Sequence, residues 1–177
     1  MIEAHVVNAL NKHLYESEFD EFLRRRHDFF VHQKHWRPES PDGREVDQFD
    51  TDAATYLLGI EDGRTITSAS LIPTSEPHIV SEAFPHMCEK YDVPWRPDWA
   101  EWTRTFVVPD KRSAGLRGTL TELCCAVMEF CHRRGSQHGR RNPRDIFHAP
   151  SRGLKWSVEP NGNGPRRKRR VGHRCLH

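Results

Sequence analysis

No run of eighteen apolar residues occurs in this 177-residue chain, so no helical membrane span is expected. The opening residues, Met1-Ile2-Glu3-Ala4-His5, lack the basic and apolar segments of a secretory leader. Cysteine is sparse: five residues (88, 124, 125, 131 and 175), odd in number and without a C-x-x-C pair. These absences point to reduced thiols in a cytoplasmic protein, the first four cysteines being ordinary buried or half-buried residues. The length suits a single domain with a sizeable core.

Acidic residues nearly vanish after residue 132. Residues 1–132 hold 14 Lys/Arg against 23 Asp/Glu, whereas residues 133–177 hold 13 against 2. A chain that changes character so abruptly divides into two regions, 1–132 and 133–177.

Within the first region, residues 2–10 read as a strand and 14–33 as a helix. The helix carries Leu14, Phe19, Phe22, Leu23, Phe29 and Phe30 at helical spacing, with acids toward its start. Arg26 and Phe30 stand four apart, on one face. His27, His32 and His35 show no ligand-like pattern and read as surface residues, so no metal is expected.

A Pro/Gly-rich turn then leads into Arg44-Glu45-Val46-Asp47-Gln48-Phe49-Asp50, three carboxylates in six residues. If extended, Glu45 and Asp47 share a face, and Asp50 joins them only if the backbone bends. Acids so close need arginines, a cation or a cationic ligand, unless they form a solvated loop.

Strands 55–60 and 65–72 flank an Asp62-Gly63 hairpin turn. A short helix is expected in 79–90, containing Phe84. A strand over 99–108 would place Trp102, Arg104 and Phe106 on one face and Glu101 and Thr103 on the other. An amphipathic helix over 116–132 ends near Gly135. Strand, helix, hairpin, strand and helix imply an α/β or α+β sandwich.

Arg26-x3-Phe30, Trp36, Glu45-x-Asp47-x2-Asp50, Leu71-x-Pro73-Thr74, Phe84 and Glu101-x-Thr103-Arg104-x-Phe106 occur in this order. The set resembles the acyl-homoserine-lactone synthases of bacterial quorum sensing, over roughly residues 1–132. His27-Asp28-Phe29-Phe30-Val31 and Ser81-Glu82-x-Phe84-Pro85-His86 look nearest to members that use short branched or aryl acyl-CoA rather than an acyl carrier protein thioester.

The resemblance implies an N-acetyltransferase-like fold: a mixed, mostly antiparallel sheet with helices on both faces and a cleft between splayed strands. It implies S-adenosylmethionine as amine donor, acyl-CoA or acyl carrier protein as acyl donor, and no further cofactor. The amine is acylated, and lactonisation expels methylthioadenosine.

On that basis Glu101, with Glu45 beside it, is the candidate general base. Trp36 and Phe30 would face the sulfonium. Asp47 and Asp50 would attract the donor's positive charges, and Arg26 or Arg104 would clamp its carboxylate. A backbone N–H near Phe106 would stabilise the oxyanion. Thr103 and Phe84 complete the substrate-binding set.

Two departures stand against full activity. The family's Arg-Leu-x-Pro-Thr reads Ser70-Leu71-Ile72-Pro73-Thr74, which removes an arginine from among the acids and implies tighter proton binding by one of them. After residue 135, apolar strands that would complete the sheet are replaced by Ser136-Gln137-His138-Gly139-Arg140-Arg141. Back-translating residues 136–152 and reading one nucleotide onward permits an apolar strand, Met-Val-Gly-Val-Ile-Gln-Glu-Ile-Phe. Residues 133–177 therefore read as an aberrant, frame-disrupted basic segment, partly disordered and closed by an early stop.

Arg166-Arg167-Lys168-Arg169-Arg170 has the charge to meet phosphates, but no interleaved aromatics or binding fold surround it, which argues against a nucleic-acid partner. An acetyl-CoA-dependent N-acyltransferase is the other enzyme class. The Gly-rich pyrophosphate loop it needs has only a weak echo in Arg112-Ser113-Ala114-Gly115-Leu116. An inactive remnant is the third reading.

Overall fold

The computed structural model describes residues 2–88, 92–112, 118–137 and 146–147. Strand β1 (Glu3–Val7) leads through a short turn into helix α1 (Glu16–His27). Glu16 and Glu18 occupy the first turn of α1 and Arg24 to His27 the last, both favourable to the helix dipole. The helix then widens into a π-helical turn over Asp28–Gln33. π-Turns recur at functional sites because they re-aim side chains.

Strands β2 (Thr55–Glu61) and β3 (Arg64–Pro73) form a hairpin. Asp62 (φ 51°) and Gly63 (φ 72°) are both left-handed, as a two-residue turn matched to strand twist requires. After helix α2 (Ile79–Glu82) come strand β4 (Ala100–Val107), helix α3 (Thr119–Gln137) and the two-residue strand β5 (Ile146–Phe147).

The sheet order is β1-β2-β3-β4-β5. The first four strands are antiparallel, and β5 runs parallel to β4 opposite Ala100 and Glu101. This is the expected mixed α/β sheet flanked by helices. One core packs α1 on the sheet through Phe19, Phe22, Tyr56, Leu58, Ile66, Ile72 and Phe106. A second packs α3 on the other face through Leu57, Ala69, Leu71, Trp102, Leu123, Cys124 and Val127. Covering both faces explains why β2 and β3 are buried nearly throughout. Gly59 sits at a bulge where a Cβ would meet Thr67 Cγ2 at 2.3 Å, so a side chain there would displace Thr67.

Four expectations are corrected. The short helix ends at Glu82, leaving Phe84 before a separate 3-10 turn over Pro85–Met87. Helix α3 runs past residue 132 to Gln137, so the change of charge does not coincide with a structural boundary. Cys125 is exposed, while Cys124 is buried and Cys88 and Cys131 are half-buried. The parity expected of β4 is broken by a bulge: Ser68 pairs with Phe106 but Ser70 pairs with Thr103, so two residues, Arg104 and Thr105, oppose Ala69 alone. Trp102 therefore packs toward α3, whereas Phe106 packs toward α1. The frame-disrupted segment lies, apart from residues 133–137 and 146–147, outside the described residues, as do residues 113–117 of the loop echo.

Candidate active site

The acidic stretch is not a strand. Asp50 N–H donates to Asp47 C=O at 3.1 Å, closing a turn, and Ala54 N–H closes a second on Thr51 C=O at 3.0 Å. Asp47 N–H also donates to Asp50 Oδ2 at 2.8 Å. The bend brings all three acids to one place, between α1 and the sheet.

Arg26, 0% exposed, enters from α1. Its Nε donates to Glu45 Oε2 at 2.6 Å, while Nη1 and Nη2 grip Asp50 bidentately at 2.7 and 3.0 Å. Bidentate pairing suits the planar guanidinium. Tyr56 Oη adds a hydrogen bond to Asp50 Oδ1 at 3.0 Å. Burial opposes ionisation of Asp50, but the Arg26 contacts outweigh it and hold the carboxyl below its usual range. Burial and the neighbouring Asp50 carboxylate push the Tyr56 phenol far up.

From β4, Arg104 Nη2 donates to Asp47 Oδ2, and its Nε lies 3.6 Å from Glu45 Oε1. Its guanidinium stands 5.4 Å over the Phe30 ring. Arg104 reaches this position from φ 50°, at the bulge. A left-handed non-glycine residue costs about 1–3 kcal/mol and persists where its surroundings over-determine it. The bulge turns Arg104 toward the acids, onto the face opposite Trp102.

Glu101 lies three residues upstream, buried, opposite Ile72. Burial raises its carboxyl above the usual range, while Val80 and Ile79 N–H, His78 and Arg104 pull it the other way. Val80 N–H donates a long hydrogen bond to its Oε2, at 3.4 Å. Thr103 is half-buried opposite Ser70. The Phe106 side chain packs on the same side as α1.

Trp36, 67% exposed, stacks on buried Phe30 at 5.9 Å and 30°. Phe30 is thus occupied by Trp36 and Arg104, and Lys34 Nζ stands 5.9 Å over the Trp36 ring. Phe84 stands apart: it is exposed, and its ring meets His86 at 6.2 Å. Ser70 is buried between Tyr56 and Thr103, its hydroxyl without a hydrogen-bond partner among the described residues.

Three contributors escape a motif reading. Arg37 Nε lies 3.4 Å from Glu45 Oε1, a third cation for three acids. Tyr56 caps Asp50. His78 is fully buried beside Glu101, its Nδ1–H donating to Glu76 C=O at 2.9 Å while Nε2 has no hydrogen-bond partner among the described residues. The His78 signal was present as a histidine beside the Pro73-Thr74 motif; the other two depend on chain folding alone. Along β4, Thr105, Phe106, Lys111, Arg112, Phe29 and Leu120 line a cavity of about 240 Å³.

The site is thus a carboxylate cluster neutralised by buried Arg26 and half-buried Arg104, set beside a cavity on β4 in a mixed sheet between helices. The chain belongs to the autoinducer synthase family, whose model matches residues 11–138. It is 42% identical over 128 residues to the isovaleryl-homoserine lactone synthase of Bradyrhizobium diazoefficiens, covering 72% of this chain and 57% of that protein. The acyl-homoserine-lactone synthase of Pectobacterium parmentieri is 35% identical over 94 residues, 53% of this chain and 43% of that one.

Among solved structures, the CoA-dependent acyl-homoserine lactone synthase BjaI with SAM and isopentyl-CoA superposes with a TM-score of 0.71. It is 41% identical, covering 76% of this chain and 63% of that one. TofI in a ternary complex with an inhibitor and MTA gives 0.59 at 28% identity, covering 75% and 67%. The chain spans between 43% and 57% of the length of these two curated relatives.

Proposed function

We propose that this protein is an acyl-homoserine-lactone synthase, a cytoplasmic transferase that joins an acyl group from acyl-CoA to the amine of S-adenosylmethionine and releases a quorum-sensing lactone. The observation that carries the reading is the convergence of Arg26, Glu45, Asp47, Asp50 and Arg104 on the face of β4 that also bears Glu101. The BjaI structure with SAM and isopentyl-CoA supports both substrates. None of the described helices is long and apolar enough to cross a membrane.

On this reading the residues take distinct roles. Arg26 is sealed from solvent and saturated by Glu45 and Asp50, so it positions the acids and does not touch the donor. Arg104, whose side chain keeps some exposure beside Asp47, is the clamp for the donor's carboxylate. Trp36 offers its exposed face to the sulfonium, a contact worth roughly 0.5–2 kcal/mol.

An amine attacks a thioester only as the free base. Glu45 is committed to arginines, whereas Glu101 is held only by backbone N–H groups, its bond from Val80 being long, and has a raised pKa, so Glu101 accepts the proton. The nitrogen lone pair then forms the new C–N bond, and a backbone N–H at the β4 bulge near Phe106 receives the oxyanion. Collapse expels the CoA thiolate. The donor's carboxylate oxygen next attacks the carbon attached to sulfur, closing the lactone and releasing methylthioadenosine. The thioester arm fits the cavity along Thr105 and Phe106, with Lys111 and Arg112 at its rim for phosphates. The reaction consumes two substrates and needs no cofactor.

Incubation with S-adenosylmethionine and a set of acyl-CoAs tests this. Methylthioadenosine and acyl-homoserine lactone in equal amounts are expected. Transfer from acetyl-CoA to other amines, without methylthioadenosine, would instead mark a general N-acyltransferase. Donor binding with no product would mark an inactive remnant.

A further inference from the structure

The three histidines dismissed at the start include one that is 2% exposed: His27, the last residue of α1. The π-helical turn that follows brings His32 beside it, the two rings at 4.7 Å and nearly perpendicular. The loop then returns Glu39 to the pair. Glu39 Oε1 lies 3.3 Å from His27 Nε2 and 3.4 Å from His32 Nε2. All three ligand atoms lie within 4.8 Å of one another.

From this cluster we propose a binding site for a divalent transition metal ion of the zinc type, held by His27 Nε2, His32 Nε2 and Glu39 Oε1. The distances fit: zinc–nitrogen and zinc–oxygen bonds near 2.0–2.1 Å make the edge of a tetrahedron ~3.3–3.4 Å. Two imidazoles with one carboxylate and an open fourth position form a recurrent zinc ligand set.

His27 Nε2 accepts Ser40 N–H at 3.3 Å and faces the Glu39 carboxylate at the same distance, so a bound ion would take the imidazole lone pair in place of that hydrogen bond. The outer support is present as well. His32 Nδ1 faces Asp28 Oδ1 at 3.4 Å, the carboxylate–histidine arrangement that orients a ligating imidazole.

Such an ion would tie the loop over 34–39 to the end of α1. Trp36 and Arg37 are carried on that loop, so the site fixes the entrance to the acid cluster without joining it. The proposal stands whether or not the chain makes a lactone.

The test uses the full chain, stripped with a chelator and titrated with Zn2+ against a chromophoric competitor. One tight equivalent is expected. His32→Ala and Glu39→Gln, both at exposed side chains, should each weaken it tenfold or more, and Asp28→Asn by about tenfold. Co2+ in the same site should show d–d bands without a thiolate charge-transfer band, which separates it from the cysteines. Zn2+ should also slow tryptic cleavage after Lys34 in the wild type and not in Glu39→Gln. Equal Zn2+ affinity in wild type and both ligand variants, or a thiolate spectrum, would overturn the site.

Discussion

Arg104 stands in the left-handed region at φ 50° and donates to Asp47, an acid 57 residues earlier in the chain. The strand is distorted where it delivers its charge. Arg104→Gly and Arg104→Ala both remove the guanidinium and leave Asp47 without it, but only glycine accepts this φ freely. The Gly variant should be more stable than the Ala variant by about 1 kcal/mol, the reverse of the usual order within a strand. Paired chemical denaturation curves check this, and Ala equal or superior would mean that the backbone is unstrained.

Arg26 supports two buried carboxylates at once. Replacing it with Ala should cost about 3–5 kcal/mol, because Glu45 and Asp50 remain buried without their partner. Asp50 also sets an acid limit. Its folded pKa is below the unfolded value of 3.8, so the stability it contributes is present above that value and lost as pH falls through the folded pKa. Thermal melts of wild type and Asp50→Asn should differ at neutral pH and converge on acidification.

Glu101→Gln should lower kcat by about 10²–10⁴-fold with little change in the KM for S-adenosylmethionine. Since burial raises the Glu101 pKa above 4.5, the reactive carboxylate appears only at higher pH, and the acid limb of the rate profile should lie above the ordinary glutamate range. The same shift opposes folding as pH rises through it. A Gln variant that turns over normally would transfer the base to another group.

Ser70→Arg would put a guanidinium on β3 between Tyr56 and Thr103, on the side of the acids. One added charge-assisted hydrogen bond, worth roughly 1.5 kcal/mol, would raise turnover about tenfold. Unchanged turnover would show that Arg37 and Arg104 already suffice.

We further propose that residues 133–177 are frame-disrupted, with residues 136–152 translated out of their ancestral frame. The family match ends at residue 138. Nucleotide sequencing of the gene should reveal an apolar strand in an adjacent frame over residues 136–152, and an intact frame with no such alternative would end the idea.

Much of the fold was legible in local pattern. The Asp62-Gly63 hairpin and the phenylalanines of α1 follow periodicities set by the backbone itself. The site was legible in its residue types but less so in their attachments. Asp50 falls on the wrong parity in an extended chain, and only the turn closed by Asp47 C=O corrects it. Phe106 and Arg104 were placed on the face of Trp102 because a bulge has no reliable sequence mark when the left-handed residue is arginine instead of glycine. His27 and His32 looked unrelated because five residues is not a helical neighbour spacing until the helix widens. The expected proton-holding acid was sought among the three in the loop, whereas burial selects Glu101.

The irregularity in β4 also governs how this strand tolerates length changes. Glu101 and Phe106 are five residues apart, an odd count that ordinarily sends two side chains to opposite layers; the additional residue opposite Ala69 returns them to the same one. Losing a single amino acid there would leave a straighter strand with every hydrogen bond available. It would keep Glu101 and the aromatic ring in one layer but turn the single residue left opposite Ala69 toward α3, taking the guanidinium away from the acids.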